Sequence, residues 1–289
     1  MTQANHWPTL SWPLADAKLR VVSYGGGVQS TTMLLMAMHG EITPMPDVAI
    51  FADTDDEPLS TWETVNWISS ANVGLPFPIN VVSAGSIRDQ MLSGQKVKGR
   101  PPLFVEQDGR TGMTKRQCTG DWKLIPIERE VRHLIGLRPR QRWPLYPVVE
   151  QWIGISKDEI GRCSSSGRTA VHNRHPLIEL NMTRRDCERW LLAHDYPVPK
   201  KSRCRICPYQ SDALWRELRD EAPDDFAAAV EVDRSMRLGG FDQRAPGRIL
   251  LKGTPYLHRS LKPLDEVDFD APTGPPTFDF DGCGGGCGL

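Results

Sequence analysis

The stretch from Leu19 to His39 constrains this chain more than any other. Leu19-Arg20-Val21-Val22-Ser23 is an apolar run of strand length, and Gly25-Gly26-Gly27 breaks it. From Ser30 to His39 the period is helical, with Met33, Leu34, Met36 and Ala37 on the apolar side, until Gly40 ends it. A strand that turns through glycines into a helix is half of a β–α–β unit, so parallel neighbours are expected. Val48-Ala49-Ile50-Phe51, ending at Asp53, and Ile79-Asn80-Val81-Val82 supply two, with a helix over Thr61 to Ala71 between them. A helix over Pro126 to Leu137 and a strand over Val148 to Ile155 extend the alternation. Right-handed crossovers then give an α/β fold built on a doubly wound parallel sheet.

Other segments depart from that rhythm. Residues 84–120 show little periodicity and read as one long loop. Thr183-Arg184-Arg185-Asp186 is a capping box opening a helix whose apolar face carries Cys187, Trp190 and Leu191. Two more helices are expected at Ser211–Arg219 and Pro223–Arg237. The division is an arm (1–18), an α/β domain (19–180), a helical segment (181–240) and an extended tail rich in Pro, Gly and Asp (241–289).

Charge enters the argument through its distribution. Residues 115–205 hold 19 Lys/Arg against 10 Asp/Glu, while the net charge of all 289 residues is −1. The basic middle either faces an anion, nucleic acid included, or neutralises the acidic flanks within the fold. No apolar run reaches the ~18–20 residues of a membrane span, and Met1 to Trp12 lacks the pattern of a secretory signal. A cytoplasmic protein without membrane contact is expected, and its seven cysteines suggest metal or redox chemistry rather than disulfides.

Ser23-Tyr24-Gly25-Gly26-Gly27-Val28-Gln29-Ser30 has the form of an anion cradle: glycines free the backbone N–H groups, and the helix start adds its dipole. It lacks the Gly-Lys-Ser/Thr ending of a Walker loop and is not a G-x-G-x-x-G fingerprint. It resembles the pyrophosphate loop of PP-loop ATP pyrophosphatases and phosphoadenylylsulfate (PAPS) reductases, with Val28 and Gln29 where members often carry Lys and Asp. Asp53-Thr54, with Glu57 and Thr61 downstream, is similar to the segment closing the second strand in the reductase branch. An Asp at a strand's C-terminal end can hold a ribose hydroxyl or a metal, or merely cap the next helix.

Cys204-Arg205-Ile206-Cys207 can bring two thiolates to zinc, to an iron–sulfur cluster or into a redox pair. Cys118, Lys123 and Pro126 follow the C-x-x-x-x-K-x-x-P element of adenylylsulfate reductases, which carry a second adjacent cysteine that this chain lacks. One cysteine plus a C-x-x-C looks like the cluster site of the tRNA thiolation and DNA phosphorothioation enzymes of this superfamily. Cys163 is either a fourth ligand or a plain loop cysteine, and Cys187 belongs to the core. Cys283 and Cys287 form a tail pair, and the Cys-Gly-Leu end resembles the swinging C-terminus of the reductases. Ser156, Arg162, Ser165 and Arg168 follow the fourth strand and are expected at the phosphate-loop edge, where arginine forks suit sulfate and phosphate.

The resemblance implies a Rossmann-like domain of the adenine nucleotide α-hydrolase type, with a helical C-terminal part and a flexible tail. It implies ATP with Mg at Ser23, Gly25, Gly26, Gly27, Gln29, Ser30, Asp53, Thr54, Arg162 and Arg168. It also implies a [4Fe-4S] cluster, zinc being the rival, on Cys118, Cys204 and Cys207, with Cys118, Lys123 and Cys287 as catalytic residues. The expected activity is adenylation of an acceptor followed by transfer of sulfur from a donor such as a cysteine desulfurase. The acceptor would be nucleic acid or a nucleotide. Two alternatives stand: reduction of an adenylylated sulfate, and a non-catalytic nucleotide-binding protein with a degenerate loop.

Overall fold

The computed structural model describes residues 12–93, 99–238 and 253–271. In chain order the elements are β1 (Leu19–Tyr24), α1 (Val28–Met38), β2 (Val48–Asp53), α2 (Leu59–Ile68), β3 (Ile79–Ser83) and α3 (Ile87–Leu92). Then come β4 (Phe104–Gln107), β5 (Arg110–Met113), a π-helical turn (Thr119–Leu124) running straight into α4 (Ile125–Leu134), and β6 (Val149–Ile153). A 3₁₀ turn (Lys157–Arg162) leads to β7 (Val171–Arg174), α5 (Pro176–Glu179) and α6 (Arg184–Ala193). The chain continues through α7 (Asp212–Glu221), α8 (Pro223–Arg237) and β8 (Thr254–Tyr256).

Five strands pair in parallel in the order β3-β2-β1-β6-β7. This is the doubly wound, Rossmann-like α/β architecture: the chain winds outward from β1 in one direction, then returns beside it and winds the other way. The reversal leaves a crevice between the C-terminal ends of β1 and β6, the usual ligand position in such sheets. One face of the sheet is covered by α1, α2 and α6, packed through Val22, Tyr24, Leu34, Val65, Trp152 and Leu191. Helix α1 is buried on nearly every side because it lies between the sheet and α6. Burying each of its large side chains, Met33, Leu34 and Leu35, contributes roughly 1.5–3 kcal/mol. The other face is covered by α4 through Ile127 and Val131, against Val21, Ile50 and Val149. The capping box on α6 forms as expected: Thr183 accepts from the Asp186 N–H, and Asp186 accepts from the Thr183 N–H.

Three findings differ from the sequence reading. Residues 84–120 contain α3, capped by Ser86, and a β4–β5 hairpin. The hairpin turns on Asp108-Gly109, both at positive φ, which is the geometry such a dipeptide favours. Strand β7 and the short helix α5 were not anticipated; β7 is four residues of mixed polarity and has no alternation to read. Residues 253–271, expected within an extended tail, instead add β8 to β4 and bury Leu257, Leu264 and Phe269. Their apolar residues are too widely spaced among Pro and Asp to show a period. These side chains join Ile87, Met91, Leu103 and Trp122 from the middle of the chain with Ile206, Trp215 and Val232 in a second core. Among the described residues no helix is long and apolar enough to cross a membrane.

Candidate functional site

The loop after β1 lies at the crevice. Gly26 sits at φ 71°, and a Cβ there would lie 2.9 Å from Cγ2 of Thr61, so only glycine fits without displacement. Gly27 is extended and caps α1 without a side-chain hydrogen bond, which leaves first-turn N–H groups of the helix for a ligand or solvent. Ser30 Oγ accepts from the Gly25 N–H at 3.3 Å and donates to the Gly27 carbonyl at 3.2 Å, holding the turn closed. Gly154, at the end of β6, was missed by the sequence reading. A Cβ on it would press to 3.1 Å on the Ser30 nitrogen, so glycine there lets β6 approach the helix start.

Polar residues brace this loop. Gln29 donates to Glu159 at 3.1 Å, accepts from Arg184 at 3.4 Å and lies 3.5 Å from Ser156 Oγ. Arg162 pairs with Glu159, so it stands one residue removed from Gln29. Arg168 behaves differently. It precedes β7, at the edge where the parallel strands begin, and its guanidinium binds Glu128 of α4 at 2.9 Å. The expected clustering of Arg162 and Arg168 at the loop therefore holds for Arg162 only. The loop from β6 to β7 crosses the whole sheet, so position in sequence after a strand's end did not fix the edge.

At the end of β2 the chain folds back in an acidic turn. Asp53 accepts from the Asp55 N–H at 2.7 Å, while Thr54 donates its N–H and hydroxyl to Glu57, each at 3.0 Å. Burial would raise the Glu57 carboxyl, but Lys123, 3.4 Å away, and the Thr54 donors outweigh it and hold it below the usual range. Burial pushes Asp53 up, against the opposing Asp55 N–H and with the Glu57 charge adding to the rise. Burial also pushes Asp56 up, to about 7, despite the Ile206 N–H and the Arg205 guanidinium.

Asp56 ties this turn to the C-x-x-C hairpin. Its carbonyl accepts from the Arg205 N–H at 2.8 Å, and its carboxylate accepts from the Ile206 N–H at 3.1 Å with Arg205 Nε 3.3 Å away. The hairpin thereby lies against β2. Cys204 Sγ stands 3.6 Å from Thr54 Oγ1 and 4.0 Å from Glu57 Oε1, and burial pushes its thiol well above the ordinary value against the pull of Lys123. Cys118 arrives from the first residue before the π-helical turn, a local geometry common at functional sites, and Lys123 comes from within it.

Cys118, Cys204 and Cys207 line one cavity of about 70 Å³, together with Thr54, Arg116 and Lys123. Ser202, also in its wall, donates to the Gly25 carbonyl, so the cavity abuts the glycine loop after β1. Arg203 is occupied as scaffold: it donates to Gln210 at 2.7 Å and to the carbonyls of Lys201 and Leu214. Cys163 lies outside the cavity wall and Cys187 is fully buried on the inner face of α6, its thiol pushed up to about 12 by burial. Among the described residues no three His, Cys, Asp or Glu side chains are grouped around one point as ligands of a single metal ion. Cys283 and Cys287 lie outside the described residues.

No protein-family model matches the chain, and no curated protein matches it. Among solved structures the chain is similar to the phosphate complex of a phosphoadenylyl-sulfate (PAPS) reductase from Candida auris. The identity is 11% and the TM-score 0.38, over 62% of this chain and 74% of that one. So distant a likeness carries no argument about activity.

Proposed function

We propose that this chain is an enzyme that binds ATP at the β1 loop, adenylates an acceptor and transfers sulfur to it, using a [4Fe-4S] cluster on Cys118, Cys204 and Cys207. The observation that carries the reading is the convergence of these three cysteines on one cavity whose wall also touches the glycine loop. Three thiolates lining one cavity are donors of the kind an iron–sulfur cluster takes, with zinc as the rival. Lys123 and Arg116 line the same space and offset the charge that three thiolates bring. When bound, such a cluster supplies an iron site open to sulfur.

The chain's own residues have separable tasks. Backbone N–H groups of Gly25 to Ser30 hold the phosphates, and Asp53 holds a ribose hydroxyl or the magnesium ion that accompanies ATP. An acceptor oxygen attacks the α-phosphorus, forming one P–O bond as the bond to pyrophosphate breaks. A sulfur nucleophile then displaces AMP from the activated atom. Lys123, held by Glu57 at 3.4 Å, is a fixed positive charge in the cavity wall, suited to steady the charge that develops on the leaving group.

The test is anaerobic purification with iron and sulfide assays and an absorbance spectrum, alongside pyrophosphate release from ATP. Brown protein with about four irons per chain and nucleotide binding supports the reading. A colourless protein with one zinc ion and no dithionite-reducible centre overturns the cluster and leaves nucleotide binding to be judged separately.

A further inference from the structure

The basic middle of the chain is only partly spent inside the fold. Arg174 and Arg205 pair with Glu150 and Asp56, whereas Arg138, Arg140 and Arg142 are exposed and have no carboxylate partner among the described residues. These three lie in the connection from α4 to β6, at the edge where the parallel strands begin, opposite the glycine loop. From Val131 to Val149 the sequence has four arginines and one histidine, and no Asp or Glu. Lys18 adds an exposed cation at this edge, its N–H donating to the Val148 carbonyl at 2.8 Å where β1 begins beside β6.

The connection is held in one shape. Arg132 of α4 donates to the carbonyls of Arg138 and Gln141, at 3.3 and 2.6 Å, and its guanidinium stands 5.2 Å from the centre of the Trp143 ring. Glu128, the acid at the base of the connection, is already shared between Trp143 and Arg168. The Gln141 N–H returns to the Arg138 carbonyl at 3.1 Å, closing a turn with Pro139 and Arg140 in the middle. Arg140 sits at φ 63°, where a turn of this kind favours glycine or asparagine. Its side chain is exposed, so packing does not ask for arginine there, and the strain points to a use outside the fold. Just past the turn, Leu145 is 90% exposed and Tyr146 62%.

We propose that this face is a docking surface for single-stranded nucleic acid, separate from the glycine loop and the cysteine cavity. Guanidinium forks grip phosphate oxygens two at a time, and the exposed phenol ring of Tyr146 offers a plane on which a base can stack. A backbone stiffened by Pro139, Pro144 and Pro147 and tied to Arg132 presents these groups with little freedom left to lose. An anionic lipid surface fits less well, because binding there scales with buried apolar area and Leu145 and Tyr146 offer little of it. The surface goes beyond the sulfur-transfer reading and does not depend on it.

The experiment is fluorescence anisotropy of the full chain with labelled single strands of about 16 nucleotides, DNA and RNA. The corresponding duplexes and vesicles of phosphatidylcholine with phosphatidylserine compete. Single strands should bind, with log affinity falling linearly in log salt concentration. Arg138→Ala, Arg140→Ala and Arg142→Ala combined should weaken binding at least about tenfold and lower the salt slope by about 2. Tyr146→Ala should weaken it about fivefold or more. Arg140→Gly separates recognition from folding: it relieves the backbone at φ 63°, so stability in urea should not fall, while strand affinity does. A preference for DNA or for RNA supports the proposal and says which strand is taken. Absence of strand binding, strand affinity indifferent to these substitutions, or tighter binding of duplex or vesicles overturns it. Iron content and pyrophosphate release from ATP, measured on the same variants, should stay at wild type, so the sulfur-transfer reading is judged apart.

Discussion

The loop after β1 is built by consecutive residues, Ser23 to Ser30, whereas the cysteine cavity is built by the end of β2, the π-helical turn and the C-x-x-C hairpin. The first holds its shape through local bonds, with Ser30 closing on Gly25 and Gly27. The second exists only when the second core, joining residues 87–122 to 206–269, has formed. The two meet where Ser202 binds Gly25 and where Asp56 grips the hairpin. Neighbouring sites of one crevice can thus depend on different parts of the fold, and substitutions should separate them.

The largest separation is expected at the cysteines. Cys118→Ser, Cys204→Ser and Cys207→Ser should each remove most of the iron and brown absorbance, without an additive series, because the ligands act as one unit. ATP affinity should stay near wild type in all three. Wild-type iron in the Cys118 variant would break the link between the two halves of the cavity.

The reverse separation is expected at the loop. Gly26→Ala must place a Cβ at φ 71° and against Thr61, which costs about 1–2 kcal/mol in backbone strain alone. Nucleotide affinity should fall at least tenfold, while iron content holds. Gly27→Ala is gentler: its Cβ would stand 3.5 Å from Ser202, an ordinary contact, so stability should change little. Calorimetry with ATP and urea titration read both effects, and equal behaviour of the two variants would contradict this geometry.

Asp56 joins the two regions, and its titration should show it. Its folded carboxyl sits at about 7, above the ordinary 3.8, so the folded state binds the proton more tightly. The stability this group contributes is complete below about 3.8 and lost as pH rises through about 7. Asp56→Asn should therefore lose less stability than wild type between pH 5 and pH 8 in urea unfolding. A steeper loss in the variant would mean that the Arg205 pair dominates instead.

A finer contrast concerns two arginines that the sequence treated alike. Arg162→Ala removes the partner of Glu159, which holds Gln29 at the loop, and should raise the Michaelis constant for ATP several-fold. Arg168→Ala breaks a pair with Glu128 that is half exposed, and should leave nucleotide kinetics unchanged.

What could be read in advance follows the same division. The apolar runs of β1, β2 and β6 and the glycine break carry their structure locally, so the parallel sheet and the loop were legible. The cysteine trio was legible as residue types, yet Asp56 and Ser202, which hold it in place, carry no signal across separations of 150 and 177 residues along the chain. The β4–β5 hairpin did leave a mark in Asp108-Gly109, overlooked because the flanking strands are short and lack alternation. Gly154 looked like any strand-end glycine, since its reason is the approach of Ser30 from another element.

The last contrast sets one cysteine against the others. Cys187 is fully buried among Leu34, Leu177 and Leu191 in the core that supports the loop, whereas Cys118 and Cys207 are partly accessible at the cavity. Cys187→Ser replaces a thiol by a more polar hydroxyl in a core where the Thr32 side chain is its hydrogen-bond partner, and should cost about 1–3 kcal/mol of stability. Iron content and ATP affinity should be unaffected, because the loop keeps its own closing bonds. In the native protein, thiol reagents should leave Cys187 unmodified, since its thiol is both enclosed and pushed to about 12. Mass spectrometry after alkylation of the metal-free protein separates the classes. Modification of Cys187 ahead of Cys118 would show that the core beneath the loop opens before the cavity does. The cavity would then be the more rigid of the two regions, the reverse of what local closure of the loop predicts.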